Sequence, residues 1–79
     1  IEAQTRQCLQ NVIAILEAAN YSLSDVVKSV VLLADMGDFQ AMNQVYATYY
    51  AENQPARVCY QVAKLPLGAL VEIETIAVQ

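Results

Sequence analysis

The chain has 79 residues, 57% hydrophobic and 15% charged, where an average soluble domain carries roughly 25% charged residues. That is one small domain at most, with more apolar surface than so short a chain can hide, so burial against partner subunits is expected. A net charge of −4 with scattered cations (Arg6, Lys28, Arg57, Lys64) argues against nucleic acid and anionic membranes as partners, and the lack of histidine excludes Ser-His-Asp and Cys-His catalysis.

Residues 2 to about 19 carry a helical pattern: Thr5, Cys8, Leu9, Val12, Ile13 and Leu16 recur at three- and four-residue spacing. Asn20 suits the left-handed residue that ends a helix, and Tyr21 to Asp25 reads as a polar connection. Val26 to Ala34 is a near-continuous apolar run, as in a central strand covered on both faces. After the turn residues Asp35-Met36-Gly37, Asp38 is the predicted N-cap of a second helix reaching about Tyr50. Its stripe is Phe39, Met42, Val45, Tyr46 and Tyr49, and Asn53-Gln54-Pro55 stops it. Arg57 to Lys64 is predicted as a strand, Leu65 to Gly68 as a loop, and Leu70 to Val78 as a third strand.

This α-β-α-β-β order predicts an α+β fold with strands 26–34 and 57–64 parallel through a right-handed crossover. Both helices then pack on one face, and the other face is free to meet a neighbouring subunit. No run approaches the roughly 20 apolar residues of a spanning helix, so no membrane segment is expected. Cys8 and Cys59 have neither metal-binding nor redox spacing; free, buried thiols in a reducing, cytoplasmic setting are expected, with a single disulfide between them as the alternative. Ile1-Glu2-Ala3 opens into helical pattern without a basic leader, and the missing initiator Met suggests a chain that begins after a cut or inside a longer protein.

Two groups stand out as chemistry. Arg57, directly after Pro55-Ala56, is presented at the mouth of a strand and is able to grip a carboxylate; an ordinary edge-strand ion pair is the plainer reading. Glu72 shares a strand face with Glu74, Ile76 and Val78, where it either pairs with a cation, as at a subunit interface, or gains basicity through desolvation. Cys59, on the face of Arg57, lacks a basic partner for nucleophilic work, so its backbone N–H is the better contributor. Asn43 and the tyrosines Tyr46, Tyr49, Tyr50 and Tyr60 read as packing or structural hydrogen-bonding residues.

Asp38-Phe39 with Asn43 and Tyr46, then Pro55-Ala56-Arg57, Leu65-Pro66, and Val71-Glu72-Ile73-Glu74 closing on Ile76-Ala77 together resemble the Rid (YjgF-like) family of reactive-intermediate deaminases. The resemblance covers essentially the whole chain. It implies hydrolysis of 2-imino acids, such as 2-iminobutanoate and 2-iminopropanoate, to 2-keto acids and ammonia, with no cofactor and no metal. It also implies a bacterial chorismate-mutase-like fold, assembled as a homotrimer with ligand clefts between subunits. By resemblance Arg57 binds the substrate carboxylate, the backbone at Cys59 contacts the imino group, and Glu72 positions the attacking water.

In that fold the last strand lies antiparallel beside residues 26–34, which sets Arg57 and Glu72 towards opposite ends of the sheet and implies a site shared by two chains. Residues 1–79 would be the C-terminal portion of a single Rid-like domain, since family members begin with three further strands. Catalysis is expected provided those strands exist in the functional protein. The alternative is a non-catalytic module on the same trimeric scaffold that binds small carboxylates in a regulatory or interaction role. RNA cleavage or translation inhibition, sometimes attached to the family, is opposed by the acidic charge and absent histidine.

Overall fold

The structure is a computed structural model describing all 79 residues. Helix α1 (Glu2–Ala18) leads to strand β1 (Val26–Leu33), helix α2 (Phe39–Tyr49), strand β2 (Ala56–Gln61) and strand β3 (Val71–Ala77), with short 3-10 turns before β1, α2 and β3. The sheet order is β2-β1-β3, with β1 parallel to β2 and antiparallel to β3. The α+β arrangement and strand directions are those expected.

Helix α1 stops at Asn20. Its φ of 63° is the left-handed conformation read from the sequence, and the N–H groups of Asn20 and Tyr21 return to the carbonyls of Glu17 and Leu16 at 3.0 and 2.7 Å. This pair of reversed bonds satisfies carbonyls that the helix end would otherwise orphan. Asn20→Ala is expected to lower the unfolding free energy by about 1 kcal/mol, and Asn20→Gly to leave it nearly unchanged; denaturant midpoints check both.

Asp38 does occupy the N-cap position of α2, but its side chain makes no capping bond. The 3-10 turn Met36–Asp38 already brings the backbone close to helical angles at Asp38 (φ −87°, ψ 2°), away from the extended geometry a capping side chain needs. The capping instead falls on Asp35, which accepts from the Gly37 N–H at 2.8 Å. Strand β2 ends at Gln61 and not at Lys64, because its partner β1 runs out: Val62 N–H donates to Leu33 O at 2.9 Å, and β1 ends there. Between β2 and β3, Leu65 is buried, whereas Leu67 is fully exposed in a left-handed conformation (φ 58°) beside Gly68 (φ 67°).

The core lies between the helices and one face of the sheet. Leu9 and Leu16 of α1, and Met42, Val45, Tyr46 and Tyr50 from α2 and its end, meet Val26, Val31, Leu33 and Val71. Alternation along the strands then sends Val30, Leu32, Val58, Tyr60, Glu72, Glu74 and Ile76 to the opposite face. Only 13 of 79 residues are buried; Val58, Tyr60 and Ile76, each close to half exposed, put part of the apolar surplus on the uncovered face, while Ile15 of α1 and Leu67 of the loop expose more of it elsewhere. Glu72 and Glu74 are exposed there, so the chain alone does not supply the desolvation read from their apolar neighbours.

Candidate functional site

Arg57, the second residue of β2, is half-buried and turns its side chain to the helix-covered face. There α2 presents Phe39, Asn43 and Tyr46 at i, i+4 and i+7, a spacing that stacks them along one stripe. Arg57 Nη1 donates to Asn43 Oδ1. The guanidinium carbon lies 4.8 Å from the centroid of the Tyr46 ring and 5.5 Å from that of Phe39, both within reach of a cation–π attraction. One helix thus holds the arginine by an edge and by its aromatic faces.

A cavity of about 350 Å³ opens beside this arrangement, lined by Asn43, Tyr46 and Tyr50 and by Gln54, Pro55 and Arg57. Arg57 is the only charged residue in its wall, so the site favours a small anion. Behind it the rings of Tyr46 and Tyr50 stand 4.7 Å apart. Their hydroxyls, with those of Ser29 and Thr75, are buried without hydrogen-bond partners in the chain. Burial pushes the Tyr50 phenol up; the nearby Ser29 hydroxyl, outside hydrogen-bonding geometry, offsets part of this, and Tyr46 adds a smaller upward push. Tyr50 therefore stays neutral at physiological pH.

Cys59 shares the helix-covered face with Arg57 and packs, half-buried, against the core. Burial pushes its thiol up and the Arg57 charge only partly offsets this, so it is a thiol at neutral pH and a poor nucleophile. Its backbone is better placed. Because Val62 N–H points at β1, alternation directs the N–H groups of Tyr60 and Val58 the same way and that of Cys59 to the free edge of the sheet. Cys8, the other free cysteine, has its thiol raised by burial and then by the charge of Glu72.

Glu72 does not join this cavity. It pairs with Leu32 on the far side of β1, whereas Arg57 pairs with Ser29, and the two side chains leave opposite faces of the sheet. Along β1 the two levels differ by three residues, about 10 Å at roughly 3.3 Å per residue. Within one chain, arginine and glutamate do not converge. Asn43 makes the structural hydrogen bond expected of it, but to Arg57 and not to a neighbouring carbonyl, which brings it into the cavity wall. The signal that pointed to it was its occurrence between Phe39 and Tyr46 on one helical stripe.

Comparison with known proteins agrees with this fold. The family described as Endoribonuclease L-PSP matches residues 1–79, and the chain belongs to that family, the Rid or YjgF-like family of the sequence reading. A RutC family protein of Pyrococcus horikoshii is 58% identical over 77 residues, covering 98% of this chain and 61% of its own length. The rat 2-iminobutanoate/2-iminopropanoate deaminase is 49% identical over 79 residues, covering all of this chain and 58% of its own. Among solved structures, Escherichia coli TdcF with bound serine superposes with a TM-score of 0.94 at 42% identity, covering 99% of this chain and 64% of that one. The chain thus spans about three-fifths of the length of these relatives.

Proposed function

We propose that the protein is a 2-iminobutanoate/2-iminopropanoate deaminase, hydrolysing reactive 2-imino acids to 2-keto acids and ammonia. The observation that carries this reading is Arg57, braced by Asn43 and two rings at the wall of a cavity holding no other charge. A guanidinium so held takes a carboxylate through two parallel hydrogen bonds. The Cys59 N–H on the sheet edge is the donor for the imino nitrogen. Water adds to the C=N carbon, the nitrogen is protonated, and the C–N bond then breaks to release ammonia and leave the keto acid. Glu72 orients that water, and because it leaves the opposite sheet face it comes from a neighbouring subunit.

The name of the rat relative and the serine in TdcF support the reading, since serine pairs a carboxylate with an α-nitrogen. The homotrimer with sites between subunits that the family resemblance implies is supported by the split of Arg57 and Glu72 and by the half-exposed apolar sheet face. On this reading residues 1–79 form the C-terminal portion of a Rid-like domain, and two free cysteines suit a cytoplasmic setting. No helix is long and apolar enough to cross a membrane. Hydrolysis as written calls on no cofactor.

The test is to generate 2-iminobutanoate in situ and follow its loss. The protein at its native length and assembly is expected to release 2-oxobutanoate and ammonia faster than buffer. If it adds nothing to the buffer rate while 2-oxobutanoate still binds, the enzyme reading fails and the scaffold is a small-carboxylate-binding module.

A further inference from the structure

We propose that Tyr46, with Phe39 as a second ring, is the positioning residue for Arg57 and makes the site selective for planar carboxylates over tetrahedral oxyanions. The inference rests on the reading of Arg57 as carboxylate anchor and names what that anchor depends on. A guanidinium on a flexible stem is free to rotate its plane; alone it attracts any small anion as a point charge. Here its plane is constrained. The Tyr46 ring lies 4.8 Å and the Phe39 ring 5.5 Å from the guanidinium carbon, and Asn43 Oδ1 occupies one of its N–H groups. With two rings beside it and Asn43 on one N–H, the remaining N–H groups form the donor set left for the cavity.

Two parallel donors in one plane match a carboxylate. A tetrahedral phosphate presents its oxygens out of that plane and carries more charge than one arginine neutralises. The ring of Tyr46, not its hydroxyl, performs this role, because the buried hydroxyl has no hydrogen-bond partner in the chain. Tyr46 itself cannot swing away, being buried against Tyr50 with the rings 4.7 Å apart. The three contacts to Arg57 all come from α2, at one two-turn spacing, so the clamp is a property of the helix face and not of a loop.

The experiment compares Tyr46→Leu, which keeps apolar bulk without a π face, with the conservative Tyr46→Phe. Dissociation constants for 2-oxobutanoate and for inorganic phosphate are measured by calorimetry on the protein at native length and assembly. Tyr46→Leu is expected to weaken 2-oxobutanoate about ten-fold and phosphate less than about three-fold, and Tyr46→Phe is expected to rescue the keto-acid affinity to within about three-fold. Equal loss for both anions, or no loss for either, overturns the proposal. A second readout does not need the leucine variant to fold. The Arg57 side-chain N–H resonances should be shifted upfield by ring current in the wild type, and unshifted resonances would also overturn it. Arg57→Ala separates the two levels: if it leaves 2-oxobutanoate binding intact, the carboxylate-anchor reading falls and takes the clamp with it. If it abolishes binding while Tyr46→Leu does not, only the clamp falls.

Discussion

Arg57→Ala is expected to lower kcat/KM for 2-iminobutanoate by about three orders of magnitude, since losing one partner of a desolvated charged pair costs roughly 3–5 kcal/mol. No residue is placed to take over. The other polar side chains in the cavity wall belong to Asn43, Gln54 and two tyrosines, all neutral groups. Arg57→Lys is expected to recover less than about a tenth of the wild-type value, because an ammonium cannot bond Asn43, lie along two rings and offer two parallel donors together. Steady-state rates at matched protein folding, checked by circular dichroism, decide the matter. An alanine variant that turns over the imine at the wild-type rate would remove Arg57 from the site.

The second large effect is restoration, not loss. If Arg57 and Glu72 act from different subunits, Arg57→Ala and Glu72→Gln proteins are each inactive alone but complement each other when mixed. Unfolding an equal mixture and refolding it together should regenerate about a quarter of the wild-type sites, because half of the arginine positions and half of the facing glutamate positions remain intact at random. Each single variant carried through the same treatment should stay at background. No gain on mixing would mean that arginine and glutamate serve the same chain, contrary to their exit from opposite sheet faces.

The helices and strands were legible because their apolar residues recur at the spacing that burial demands, as from Thr5 to Leu16 and along Val26 to Leu33. Asn20 was legible for a local reason, since few residues tolerate its backbone conformation. What escaped the sequence depended on partners in space. Val62 and Ala63 look as strand-like as Val58, and only the end of β1 shows why pairing stops. Asp38 looked like a capping residue until the preceding 3-10 turn gave that task to Asp35. The apolar company of Glu72 suggested burial, but the helices cover the other face.

The Arg57 clamp was the least legible part. A polar residue in an amphipathic helix has the same pattern whether it bonds its own backbone or reaches an arginine fourteen residues later. Phe39 and Tyr46 read as core for the same reason. Their aromatic faces serve packing and charge at once, and periodicity does not separate those uses.

The alternation of side chains across β1 also bears on how the proposed activity depends on a second subunit. Because Arg57 and Glu72 leave opposite faces, one subunit cannot bring them together, so on the proposed roles it holds no complete site. On that reading an unassembled copy would bind a small carboxylate at Arg57 without turning it over. Association of subunits would then be the step that completes the site.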